Sequence, residues 1–360
     1  MLKKSFLYIL AKLIKFPSRV KEYFSIKLFK EHLKYNLVQK GEIEKNVVIF
    51  AIHPGTTSLL SIERILNSIQ KTNFTILVVI NKNHNQGDVL KLLTGYNCTV
   101  LLRNNIGRDI GAYQCGLYFL GGKSFKLNLE KVALVNDSLY TTKHNQDFYE
   151  NFLNSDFNCV YLNKQGIHHA SSHSLVLDRT ALNTKNLIKF WESYFPSSSR
   201  THSVFKGEFG ITESLGESYF KPFVSHSQLS QHLKECRLND LEKTQIRIWS
   251  KRSGLNGADL LEEYLASNQE FEVIHFCLEN FQISNSLGLY LYRTLKVPIK
   301  VDICRNKLVS ETSFIKLLGV EMDELEIEIL TQTLNPSNAH KSDPVRYFVS
   351  RVFYQVKQID

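Results

Sequence analysis

Two short runs made wholly of apolar residues, 100–102 and 132–135, stop abruptly at polar residues and enclose a helix-length segment. Such runs read as strands buried on both faces of a parallel sheet, and parallel neighbours need a crossover between them. Residues 111–120 supply that crossover, with Ala112, Cys115, Leu117 and Phe119 at helical spacings. The preceding chain has the same rhythm: a strand over 47–52, an amphipathic helix over 59–69, a strand over 74–80 and a short helix over 89–93. The pattern predicts an α/β fold, a Rossmann-type and mostly parallel sheet flanked by helices. In such sheets ligands bind beyond the carboxyl ends of the strands. Two polar segments fall there, 104–109 and 136–138, so Arg108, Asp109 and Asp137 are expected to converge.

At 360 residues and 43% apolar content the chain can bury a sizeable core. The expected organisation is a basic amphipathic helical segment over 1–45, the sheet domain over 46–237, and a mainly helical extension over 238–360. That extension has helical stretches at 258–266 and 322–331, an apolar strand-like run over 299–304, and a polar break over 335–344. A strand is also expected over 220–224. No internal repeat is present. The six cysteines, Cys98, Cys115, Cys159, Cys236, Cys277 and Cys304, form no CxxC pair and sit mostly in apolar surroundings. They read as core fillers in a reduced cytosolic protein rather than as disulfides or a zinc site.

The net charge of +9 is concentrated near the start, where Lys3, Lys4, Lys12, Lys15, Arg19, Lys21, Lys27, Lys30, Lys34 and Lys40 are opposed by only Glu22 and Glu31. Phe6, Leu7, Ile9, Leu10, Phe16 and Phe24 are interleaved with them. Such an arm suits an anionic membrane surface, with the protein peripheral on the inner face of the cell membrane. The alternative is a helix packed on the domain with a solvated lysine face. The arm cannot span, because Lys12 and Lys15 interrupt its apolar run well short of roughly 20 residues; the same lysines argue against a signal peptide. Nucleic acid is not an expected partner, since no recognised binding motif accompanies the charge.

The site residues carry two readings each. Arg108 offers bidentate donors to a diphosphate and Asp109 an acceptor for sugar or ribose hydroxyls, or the two pair with each other at a helix start. Gly107 and Gly111 fit a tight turn with close backbone approach. Asn81 ends a strand and suits either a nucleotide base or a local turn. Asn136, Asp137 and Ser138 form either a ligand-binding tip or a strand-to-turn cap.

Several ordered motifs resemble the rhamnan synthesis protein F family of bacterial polysaccharide glycosyltransferases. Asn105-Ile-Gly-Arg-Asp-Ile-Gly-Ala112 and Val135-Asn-Asp-Ser138 resemble its N-x-G-R-D-x-G-A and N-D-S signatures. His169-Ala-Ser-Ser-His-Ser-Leu-Val-Leu177 is similar to its H-x-Q-S-Y-F-L segment, and Phe190-Trp191 to its F-W pair. Glu208-Phe-Gly-Ile-Thr212 is similar to its E-x-G-L-S element. Asn285, Pro298-Ile-Lys300 and Arg305-Asn306 are weaker matches to its later elements, and Ser286-Leu287-Gly288 departs from its N-P-T-H pattern. The resemblance covers about 47–306.

It implies a GT-A-like fold binding a nucleotide diphosphate sugar, with Asp137 as the sole carboxylate of the cation-binding element. A divalent cation, Mg2+ or Mn2+, is implied; magnesium commonly takes only one or two protein carboxylates. Asn105, Asn136, Ser138 and His169 are implied donor-site residues, and Glu208 is implied as the base that takes the acceptor proton. Glu208 equally suits a charge at a helix N-terminus, with Glu213 one turn later as a substitute. His168 and His173 are candidates for acceptor or phosphate contact, and His226 for a third metal contact, although such histidines are commonly structural. The implied activity is inverting transfer of a sugar, rhamnose or another deoxyhexose, to a growing polysaccharide or lipid-linked glycan. The alternative is a non-catalytic nucleotide-sugar or polysaccharide-binding component. A nucleotidyltransferase is disfavoured, because the segment after the first strand, from Ile52 to Thr57, lacks a basic phosphate loop.

Overall fold

The computed structural model describes residues 22–303, apart from 25, 28–29, 56–57, 165–167, 234–236, 254–257 and 301–302. Its sheet is built on the sequence 46–136: β2 (Asn46–Ile52), α1 (Leu59–Gln70), β3 (Thr75–Asn81), α2 (Gln86–Leu93), β4 (Cys98–Arg103), α3 (Arg108–Gly121) and β5 (Lys131–Asn136). These four strands run parallel to one another. In β2 successive side chains face opposite ways, so Val48, Phe50 and Ile52 enter one core and Val47, Ile49 and Ala51 the other. Both faces are therefore covered, which is why the strand reads as continuously apolar.

The first core holds Ile62, Ile65 and Leu66 of α1, and the second holds Ile110, Tyr113 and Leu117 of α3. Ser58 caps α1 by accepting the Ser61 amide at 3.1 Å, the stop-start chemistry expected of a serine at that position.

Two antiparallel strands edge the sheet: β1 (Tyr35–Gln39) on β4 and β9 (Ser174–Asp178) on β5, giving the order β1-β4-β3-β2-β5-β9. β1 corrects the expectation of helix throughout 1–45; residues 35–39 lie beside the edge of β4 that β3 leaves open, and pairing with that edge outweighs local helical propensity. The strand expected over 220–224 is absent. Only an isolated bridge joins Pro222 to Cys159, because proline cannot donate to a ladder.

Between β5 and β9 lie the short strands β6 (Leu139–Tyr140), β7 (Leu162–Asn163) and β8 (His169–Ala170) and the helix α4 (Phe148–Leu153); α5 (Lys185–Ser193) and α6 (Phe209–Leu215) follow β9. The following part is helical as expected, with α7 (His226–Leu233), α8 (Asp240–Ser253), α9 (Ala258–Ala266), α10 (Glu270–Asn280) and α11 (Gly288–Leu295). It shares the α1 core through Val273, Cys277, Leu287 and Tyr290. Its last described strand, β10 (Ile299–Lys300), pairs antiparallel with β6. Cys98, Cys115, Cys159 and Cys277 are free and buried, consistent with core fillers.

The lysine-rich arm over 1–21, the helix expected over 322–331, the break over 335–344, and Cys236, Cys304, Arg305 and Asn306 lie outside the described residues. Among the described residues no helix is long and apolar enough to cross a membrane.

Candidate active site at the strand switch point

From β2 the chain builds the sheet outward through β3 and β4, then returns to place β5 on the other side of β2. The carboxyl ends of β2 and β5 therefore form the topological switch point, the position where open α/β sheets take ligands. Asp137 joins these two tips. Its amide donates to Ala51 O at 3.3 Å, and its Oδ2 accepts the His53 amide at 2.9 Å. Asn136, fully buried, joins β5 to the start of α3 by donating from Nδ2 to Asp109 Oδ2 at 3.0 Å. Its Oδ1 accepts the Ser138 amide at 3.1 Å and the Ser138 hydroxyl at 2.6 Å. The donor side of this amide thus faces a carboxylate and its acceptor side faces hydroxyl and N–H donors, the full complementary use of an asparagine.

The β4 tip is built differently. Gly107 and Arg108 both take left-handed backbone conformations, with φ of 81° and 54°. A Cβ on Gly107 would stand 2.2 Å from Pro196 Cβ, so the turn needs glycine twice over. Gly111 allows a close approach as well; a Cβ there would meet Ile106 O at 2.3 Å. Arg103, fully buried at the end of β4, donates from Nη1 to Asn81 Oδ1 at 2.7 Å and from Nη2 to Ile106 O. Burial lowers its guanidinium to about 10, still charged at neutral pH. Asn81 therefore pins the loop to β3, its side-chain oxygen engaged by Arg103. Asn105 is exposed and lies 3.3 Å from His53 Nδ1, so it borders the β2 tip.

Burial pushes the Asp109 carboxyl above its ordinary range, Glu208 adding to the effect while Arg108, Lys300 and Arg103 oppose it. Glu208 closes a widened turn over Ser203–Glu208 that runs directly into α6, so it lies inside a longer helical stretch. The reading of Glu208 as a helix N-terminal charge falls away for that reason. Such widened turns concentrate at functional sites. The turn packs on α3 at Gly207, where a Cβ would meet Ile110 Cγ1 at 2.8 Å.

Glu208 Oε1 accepts the Ser172 hydroxyl at 2.6 Å and its amide at 3.3 Å, and Oε2 lies 3.6 Å from His169 Nε2. His169 is buried against the Phe209 ring, 4.4 Å between centroids. Ser172 is in turn fixed by Tyr113, whose hydroxyl donates to Ser172 O at 2.7 Å.

One residue beside the site, Lys300, has no site role in the sequence reading. Lys300 is buried on β10, opposite Leu139 and next to the Asn136–Ser138 tip. Its signal was present, a lysine within an apolar strand-like run. His173, a candidate for acceptor or phosphate contact, lies beside Ser138. It packs with Nδ1 3.5 Å from Ser138 Oγ, and its Nε2 has no hydrogen-bond partner among the described residues. Burial, then Lys300 and Arg200, hold its imidazole well below the ordinary range, so it is neutral at pH 7.

Other candidates go elsewhere. His168 pairs with Glu217 at 2.7 Å on the surface, Glu213 is exposed, and His226 is engaged by Glu279 and His275 on the C-terminal helices. The structure thus brings together Asn136, Asp137, Ser138, Asp109 and, through Ser172 and His169, Glu208.

No family profile matches the chain, and no curated protein matches it. Among solved structures it is similar to a cytidylyltransferase from Leptospira borgpetersenii serovar Hardjo-bovis (strain JB197), at 12% identity over 64% of this chain and 97% of that one, with a TM-score of 0.31. It is similar to S. aureus TarS 1-349, at 12% identity over 82% of this chain and 92% of that one, TM-score 0.30. A third is the glycosyltransferase GlyE of Streptococcus pneumoniae TIGR4, at 12% identity over 62% of this chain and 64% of that one, TM-score 0.28. At this identity and overlap the similarities carry no functional argument, and the site stands on its own geometry.

Proposed function

We propose that this chain is a glycosyltransferase moving a sugar from a nucleotide diphosphate to a growing cell-surface glycan by a single inverting displacement. One observation carries the reading: Asp137 bonds the tip of β2 while Asn136 bonds the start of α3, so the polar ends of β2, β4 and β5 meet at the switch point. Rhamnose or another deoxyhexose is the proposed sugar, on the strength of the sequence resemblance. The lysine-rich arm over 1–21 is proposed to hold the protein on an anionic membrane surface.

In the displacement, the acceptor oxygen forms a bond to the anomeric carbon as the bond from that carbon to the diphosphate oxygen breaks. Glu208 takes the acceptor proton, and Ser172 and His169 hold its carboxylate in place. Arg108 and buried Lys300 supply positive charge where the diphosphate gathers negative charge. Asn136 and Ser138 orient each other beside it. The hard carboxylate oxygens of Asp137 fit Mg2+ or Mn2+, which favours carboxylate and phosphate oxygens. Asp137 would hold the ion, and a bound ion would neutralise the leaving diphosphate.

The test is diphosphate release from a panel of nucleotide sugars, with and without Mg2+ or Mn2+. Cation-dependent release is expected, with kcat falling about 10²- to 10³-fold in Asp137→Asn while the melting curve stays close to wild type. Full turnover in that variant overturns the assignment. Tight donor binding with no release selects the non-catalytic binding component instead.

A further inference from the structure

The C-terminal helices carry a second group of ligand-type side chains, which the proposed reaction does not use. His275 and Glu279 stand four residues apart on α10 and so share one helix face. His226 opens α7, packed against α10. The ligand atoms of these three residues lie within 4.8 Å of one another, and all three side chains are reachable from solvent.

The two imidazoles are 4.8 Å apart between centroids, with His226 Nδ1 facing His275 Nδ1 at 3.5 Å. That is long for a hydrogen bond between nitrogens. It matches the roughly 3.3 Å separating two nitrogens held at about 2.0–2.1 Å on a tetrahedral ion. On its other side, His226 Nε2 lies 2.9 Å from Glu279 Oε1, which also accepts Lys164 Nζ at 2.7 Å. Against the raising effect of burial, Lys164 and His226 hold the Glu279 carboxyl below its ordinary range. An Nε2–H donated to a carboxylate fixes the tautomer that leaves Nδ1 with its lone pair, the usual outer support of a metal-bound histidine.

We propose that His226 and His275, supported by Glu279, bind a divalent transition ion of the zinc class through their Nδ1 atoms, with water completing the coordination. The ion ties α7 to α10. Imidazole ligands favour Zn2+, Co2+ or Ni2+ over Mg2+, so this site and the one proposed at Asp137 select different metals.

The test is a Co2+ titration of the full chain after chelator treatment, followed by the visible ligand-field absorption of Co2+. One equivalent is expected to bind, to be displaced by Zn2+, and to resist a large excess of Mg2+. His226→Ala and His275→Ala should each weaken binding by at least about 10- to 100-fold and Glu279→Gln by roughly tenfold, with His84→Ala as an unaffected control. Zn2+ should raise the melting temperature of the wild type but not of His275→Ala, a change at an exposed position that leaves the fold intact. Absent stoichiometric binding, or binding unchanged in both histidine variants, overturns the proposal. Neither result bears on glycosyl transfer.

Discussion

The β5 tip buries its polar groups and satisfies them at once, Asn136 holding Asp109 and Ser138 while Asp137 holds the β2 tip. The β4 tip leaves Asn104, Asn105 and Arg108 exposed and holds two consecutive residues in left-handed conformations. The first is a preorganised cradle in which every group already has its partner, so it loses little entropy when a ligand arrives. The second stores strain in its backbone, the usual mark of a segment shaped for contact rather than for stability. One candidate site thus combines a fixed wall with a strained one. The buried cation Arg103 at the root of the strained wall supports it from below.

Three substitutions break or sharpen that contrast. Gly107→Ala meets both the left-handed penalty and the Pro196 contact, and is expected to destabilise the protein by about 2–4 kcal/mol in urea melts. A loss near zero would mean that the β4 tip relaxes freely and is not a fixed turn.

The second concerns His32, which burial and neighbouring Arg103 lower to about 4. Between pH 6.5 and about 4 the unfolded chain binds a proton that the folded chain refuses. Its contribution to stability is therefore complete above pH 6.5 and is lost as pH falls toward 4, by at most about 3 kcal/mol. His32→Gln should flatten this acid slope, and equal slopes in both proteins would remove His32 from the support of the β4 side.

The smallest effect is expected at Arg108. Arg108→Gly relieves the φ of 54° and should stabilise by about 1 kcal/mol. The same change should raise the KM for donor roughly tenfold through loss of a charged phosphate contact. A stability gain with unchanged KM would assign Arg108 to the surface alone.

Much of the architecture is legible before folding is considered. The apolar runs of β2 to β5 announce strands covered on both faces, and the polar residues that end them announce the ligand-binding side. Gly107 and Gly111 are readable as close-approach positions, and the structure gives each a specific obstacle to a side chain. Less legible is β1, whose mixed run acquires meaning only beside the open edge of β4. Asn81 reads as a base contact or a turn residue, and its hydrogen bond to the buried Arg103 is not readable from sequence. Lys300 shows as an anomaly in an apolar run, but nothing nearby in sequence says that β10 will pair beside the Asn136–Ser138 tip.

The sequence by itself determined which segments become strands and helices, since local periodicity and the need to bury apolar faces act over short distances. It also marked the strand ends where chemistry gathers. Tertiary structure alone decided which distant polar groups share a charge environment: Asp109 with Asn136, Glu208 with Ser172, Lys300 beside β6, and His226 with His275 and Glu279. Electrostatics and hydrogen bonds depend on separation in space, and that separation exists only once the chain has closed on itself.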